Sequence, residues 1–149
     1  MSTTALIPVD EYLRYSEKPN CEYRDGVLYP KPWPTTDHGL LEFMLAAMLS
    51  KLGLQAAPEV TVRLSHTKFL VPDVIAASVL QIPYPTEPVL LCCEILSSED
   101  RLGTMLSKCE EYHYLGSPVL LGDRSNQADR LGVSLRFGTC ARYRHAQCW

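Results

Sequence analysis

Two carboxylates stand where the chain otherwise holds apolar side chains. Glu94 interrupts Val89-Leu90-Leu91-Cys92-Cys93-Glu94-Ile95-Leu96, and Asp73 interrupts Phe69-Leu70-Val71-Pro72-Asp73-Val74-Ile75-Ala76-Ala77. A carboxylate carried into an apolar interior without compensation costs several kcal/mol or takes up a proton. Each therefore needs a cation, a metal ion or a dense set of hydrogen-bond donors. Two such acids on separate extended segments point to one shared metal. Taken singly, each has a plainer explanation: Asp73 as an acid capped by amides at a strand end, Glu94 as one half of a buried ion pair.

The elements that position these acids can be read from periodicity and punctuation. Pro8 to Tyr15 reads as a short helix with proline and acids in its first turn, where the helix dipole favours them. Cys21 to Tyr29 places Asp25-Gly26 between two short extended pieces, a strong hairpin signal, and Pro30 to Pro34 is a loop. Asp37 is placed to cap a helix running to about Leu52, with Leu41, Met44, Leu45, Met48 and Leu52 as its inner stripe and Gly53 as its stop. Glu59 to Leu64 and Phe69 to Ala77 follow as two extended segments, and Val89 to Leu96 as a buried strand. Ser98 then caps a second long helix whose inner face is Leu102, Met105, Leu106, Cys109 and Tyr112, ending at Gly116. The order helix, hairpin, helix, three strands, helix predicts an α/β fold with a small mixed central sheet flanked by helices.

Composition narrows the class. At 149 residues, 46% hydrophobic and 21% charged, the chain is an ordinary globular domain. No apolar stretch approaches the roughly 20 residues of a membrane span, and the N-terminus lacks the features of a signal peptide, so a cytoplasmic location is the expectation. The six cysteines form no C-x-x-C pair, which reads as reduced thiols rather than a zinc site. The net charge of −3 gives no general attraction to nucleic acid. Residues 1–115 carry nine Lys and Arg against fifteen Asp and Glu, whereas 116–149 carry five against two. Nucleic-acid binding by the acidic part would need a local basic patch or a metal-bridged phosphate.

Hydrolysis of a phosphodiester needs oxygen ligands for a metal, a positive group near the attacking water, and a cleft for the phosphate. One or two carboxylates suffice as side-chain ligands for magnesium, and Asp73 and Glu94 fit that role. The segments Val71-Pro72-Asp73-Val74 and Glu94-Ile95-Leu96-Ser97, with Asp100-Arg101, Lys108 and Tyr112-x-x-x-Gly116, closely resemble the Uma-two family of the PD-(D/E)XK nuclease superfamily. Val9-Asp10-Glu11-Tyr12-Leu13, Glu22-Tyr23-x-Asp25-Gly26-x-Leu28 and His38 match as well, so the resemblance covers roughly residues 5–116. It implies a restriction endonuclease-like core and a magnesium-dependent endonuclease, with manganese as an alternative ion, hydrolysing DNA. The alternative is a nuclease-fold protein that binds nucleic acid or regulates without turnover.

The resemblance implies Asp73 and Glu94 as metal ligands. Position 96 is Leu where the superfamily motif carries its lysine, so it also implies a relocated lysine, with Lys108 on the following helix as the candidate and a solvated surface charge as the rival reading. Glu22 is a further acid at the edge of the site. His38 fits a hydrogen-bonding residue at a helix start, with a phosphate contact as the alternative. Arg101 and Lys68 read as solvated charges. RNA is the alternative target, and two subunits paired as a homodimer is the arrangement that would cut both strands.

After Gly116 the family expects a strand of the type G-V-P-x-x-W-V-I-D-P, yet the chain reads Ser117-Pro118-Val119-Leu120-Leu121-Gly122-Asp123-Arg124. Codons compatible with residues 116–126, read one base forward, permit V-V-P-C-C-W-V-I-D-P. We therefore divide the chain into a nuclease-like domain at 1–116 and a tail at 117–149 that derives from a shifted reading frame or from divergence. Losing a core strand there would expose a sheet edge, although Val119 to Leu121 could still add a short strand. Resequencing the locus decides between the two origins: we expect a single-base slip near codon 116, and an uninterrupted frame whose homologues share the tail would refute it.

Overall fold

The computed structural model describes residues 6–14, 21–96, 102–123 and 136–139. In chain order the elements are α1 (Val9–Arg14), β1 (Cys21–Arg24), β2 (Val27–Pro30), α2 (Thr36–Lys51), β3 (Gln55–Pro58), β4 (Val62–Ser65), β5 (Lys68–Leu70), β6 (Val74–Ala77), β7 (Leu91–Leu96), α3 (Leu102–Leu115), β8 (Val119–Asp123) and β9 (Arg136–Thr139). The central sheet has the order β3-β6-β7-β8-β9, and a second sheet the order β2-β1-β5-β4. Among the described residues every pairing is antiparallel except β7 with β8, whose parallel register needs the crossover that α3 supplies. The central sheet is thus small and mixed, with α2 and α3 packed against it.

Local chemistry explains most boundaries. Asp25 and Gly26 both take positive φ, 48° and 92°, the backbone that a two-residue hairpin turn requires and that Asp-Gly tolerates. Phe69 to Ala77, expected as one strand, divides into β5 and β6 on different sheets. Pro72 has no N–H to give to a ladder, so the chain leaves one sheet there and Asp73 falls at the mouth of the next. Glu59 takes φ 54° and separates β3 from β4 in the same way. Among the described residues, five strands therefore lie between α2 and α3 instead of the three expected.

α2 differs from expectation in two respects. Its cap is Thr35, whose side chain accepts from His38 N–H, while Asp37 sits in the first turn. Its buried positions are Leu41, Glu42, Leu45 and Leu49, whereas Met44, Met48 and Leu52 face outward. The helix is apolar on both sides, and spacing alone could not choose between them. The chosen side packs Leu45 and Leu49 on Val74, Ala76 and Cys93. On the opposite face Ile75 and Cys92 pack with Cys109 and Tyr112 of α3 and with Val119 of β8. A third cluster stacks Tyr12 on Tyr23 with ring centroids 4.8 Å apart and adds Phe69.

Val119 is buried in the α3 cluster, and Cys92 N–H donates to Pro118 O at 2.9 Å, so the segment after Gly116 joins the core sheet despite its unexpected sequence. Most of the tail, with Cys140 and Cys148, lies outside the described residues, as do Ser98 and Arg101. No helix among the described residues is long and apolar enough to cross a membrane.

The orientation of α2 can be tested by truncation. Leu45→Ala should cost about 2–5 kcal/mol in urea unfolding, and Met48→Ala should stay within about 0.5 kcal/mol. A larger cost at Met48 than at Leu45 would mean that the helix buries its other side, and equal costs would refute the difference in burial.

Candidate functional site

The buried acids collect at one end of the central sheet, where Asp73 precedes β6 and Glu94 lies near the end of β7. Val74 pairs with Cys93, so one further step along the antiparallel ladder brings Asp73 opposite Glu94. The link is direct: the Ile95 backbone N–H donates to the Asp73 carboxylate at Oδ2, 2.7 Å away. Both side chains are almost wholly buried.

Glu94 points to the α3 side. Lys108 Nζ lies 2.8 Å from Glu94 Oε1 and 2.7 Å from Glu22 Oε1, so one ammonium joins β1, β7 and α3. Tyr112, one helical turn beyond Lys108, donates its hydroxyl to Glu94 Oε1 at 2.7 Å. Glu22 is held in turn by Val71 N–H at 3.3 Å and by Arg24 at 3.3 Å, and Arg24 also pairs with Glu111. Lys108 therefore reaches Glu94 from the helix, and Glu22 shares it.

Asp73 points to the α2 side. Lys31 Nζ lies 2.9 Å from Asp73 Oδ1, 2.8 Å from Glu59 Oε1 and 3.0 Å from Val71 O. His38 Nε2 lies 3.4 Å from Asp73 Oδ1 and 3.3 Å from Glu42 Oε1. Sequence reasoning named Asp73, Glu94, Lys108, Glu22 and His38 but missed Lys31, Glu42 and Glu59 and gave Tyr112 only a packing role. Glu42 had a legible sign, because it follows His38 by one turn and stands between Leu41 and Leu45. Lys31, between two prolines, had none. Lys68 lies 3.9 Å from Glu111 at the margin and touches neither Asp73 nor Glu94.

Electrostatics follows from this partition. Burial opposes ionisation of Asp73, but His38, Lys31 and the Ile95 N–H outweigh it and hold the carboxyl well below the ordinary range. Burial pushes Glu94 up to about 7, with Asp73 adding repulsion against the pull of Lys108. Burial opposes the charge on Lys108, yet Glu94 and Glu22 together raise it, so the amine stays protonated. Both partners of that ion pair rise because Lys108 meets two carboxylates while Glu94, fully enclosed, also faces a like charge. The Lys31 amine is raised in the same manner: burial opposes its charge, and Asp73 and Glu94 prevail.

Contacts with Asp73 and then Glu42 push His38 from 6.5 up to about 10. A group raised on folding contributes stability that is complete below its unfolded pKa and lost as pH rises through the folded one. In metal-free buffer the wild-type Tm should therefore fall between about pH 6.5 and pH 10, and His38→Gln should flatten that fall. The Glu94 titration, common to both proteins, cancels in the comparison. Parallel pH profiles would show that the imidazolium contributes nothing.

A family model described as "Putative restriction endonuclease", Uma2, matches residues 9–128. A crystal structure from Anabaena variabilis, described as "a putative nuclease", matches with a TM-score of 0.67 over 88% of this chain and 83% of that one, at 17% identity. At that identity the likeness establishes the fold, which is restriction endonuclease-like. No functionally curated protein matches the chain. The matched span takes in Glu22, His38, Asp73, Glu94 and Lys108 and runs through β8, and the chain belongs to the Uma2 family.

Proposed function

We propose that this chain is a divalent-cation-dependent endonuclease that hydrolyses phosphodiester bonds of DNA, with Asp73 and Glu94 holding Mg2+ or Mn2+. The observation behind this reading is the Glu94–Lys108–Glu22 bridge, in which a buried ammonium lies 2.8 Å from an acid at the sheet end. The residues fit the ion. Asp73 and Glu94 are hard oxygen donors, buried and opposed across neighbouring strands, and a bound ion would share them with the ammonium groups of Lys31 and Lys108. When bound, the ion would polarise the scissile phosphate and neutralise charge that develops on it.

Each protein group has a stated task in this proposal. Lys108, raised above its ordinary pKa, is not the base. It donates hydrogen bonds and positive charge to the attacking water or to the phosphate oxygens, where preorganised charge is worth most. Glu22 and Tyr112 are positioning residues: the first fixes the Lys108 amine, the second orients the Glu94 carboxylate. DNA is the substrate we favour, with RNA as the variant to test beside it.

A second reading has its own observation. Lys31 lies on Asp73 and Lys108 on Glu94, so each acid has a separate ammonium. Such pairing also suits a fold that binds nucleic acid without turnover.

Plasmid DNA titrated with Mg2+ or Mn2+ separates the two. In the enzyme, Asp73→Ala and Glu94→Ala should each lower cleavage at least about 100-fold, and Lys108→Met by a similar factor. Binding of DNA with no cleavage at any metal concentration supports the second reading instead. EDTA should abolish cleavage by the wild type, and persistence in EDTA would refute a metal requirement.

A further inference from the structure

We propose that His38, Glu42, Glu59 and Asp73 form a second cation site, for a divalent first-row transition ion such as Mn2+, and that Lys31 competes with the ion for it. The site goes beyond the reading above: it shares Asp73 but not Glu94, and its existence does not require cleavage.

One ligand atom from each of the four residues can be chosen so that all lie within 4.8 Å of one another. Metal–ligand bonds of about 2.1 Å put opposite ligands about 4.2 Å apart, so side-chain shifts of a few tenths of an ångström would close the set. The backbone prepares it. His38 and Glu42 are one turn apart on the inner side of α2. Glu59, held at positive φ just after β3, donates its N–H to Asp73 O at 3.1 Å, which fixes the other two ligands side by side.

A buried polar atom without a hydrogen bond supplies the independent sign that a ligand belongs there. The Glu42 side chain is only 9% exposed, and its Oε1 makes no hydrogen bond, with His38 Nε2 the nearest cationic group at 3.3 Å. Its carboxyl also faces that of Glu59. A buried carboxylate oxygen left so is costly, and a cation between the two acids removes the cost. Lys31 answers only part of the need, because its ammonium reaches Glu59 and Asp73.

The donor set indicates the class of ion. Mg2+ prefers oxygen ligands and retained water, whereas an imidazole nitrogen beside carboxylates, once the ion displaces its proton to solvent, shifts preference toward transition ions. The Asp73 oxygens divide accordingly. Oδ1 faces Lys31 and His38, and Oδ2 takes the Ile95 N–H on the Glu94 side.

The test is Mn2+ binding to the metal-stripped full chain, read by titration calorimetry and by the electron paramagnetic resonance of free Mn2+. Glu94→Gln should retain a Mn2+ site. The pair Glu42→Gln with Glu59→Gln should weaken that site at least tenfold. Lys31→Met should tighten it at least tenfold, a gain that misfolding cannot produce. His38→Gln should reduce the preference for Mn2+ over Mg2+. Unchanged Mn2+ binding in the double variant, loss of all binding in Glu94→Gln, or no tightening in Lys31→Met would each overturn the proposal. Plasmid cleavage is scored separately: absent cleavage with this binding pattern intact counts against the endonuclease alone.

Discussion

The Lys108 ammonium lies between Glu22 and Glu94, 2.7 and 2.8 Å away, and three elements meet at that point. β1 belongs to the second sheet, β7 to the central one, and α3 covers the central sheet. Without the amine, two buried acids would face each other uncompensated, and one would have to take up a proton or be forced toward water. The same charge serves the chemistry proposed for the site. A lysine clamped by two carboxylates is fixed in place and kept protonated, which is what a group that stabilises developing negative charge requires.

Around this bridge the acids are sorted by layer. β6 and β7 present alternate side chains to opposite faces, so Val74 and Cys93 go toward α2 while Ile75 and Cys92 go toward α3. Glu94 follows the alternation and meets α3. Asp73 stands one residue outside the strand, at the break made by Pro72, and is free to turn toward α2. An irregular backbone at a strand mouth thereby lets one carboxylate serve both layers. Lys31 arrives there from the loop between β2 and α2, which ties the N-terminal hairpin to the site as well.

Much of this was legible in the chain, for identifiable reasons. Asp73 and Glu94 announced themselves because charge inside apolar runs is rare, and Lys108 followed from the family motif once position 96 proved to be Leu. The inner face of α3 was readable because its other side is polar. α2 was not, since Leu40, Phe43, Met44 and Met48 make its outer side as apolar as its inner one. The division between β5 and β6 depended on which sheet each half would join, a tertiary choice that local sequence does not encode. Lys31 and Glu59 were invisible because nothing in their neighbourhoods distinguishes them from solvated charges. β8 reversed the difficulty: its sequence departs from the family, yet its backbone takes the parallel position beside β7 and Val119 enters the core.

The central sheet ends in β3, a strand of four residues closed by Pro58. Proline offers no donor, and the turn at Glu59 leaves the plane at once, so the free side of β3 is a poor template for another extended chain. Growth of the sheet from one molecule into the next is thereby discouraged at this border.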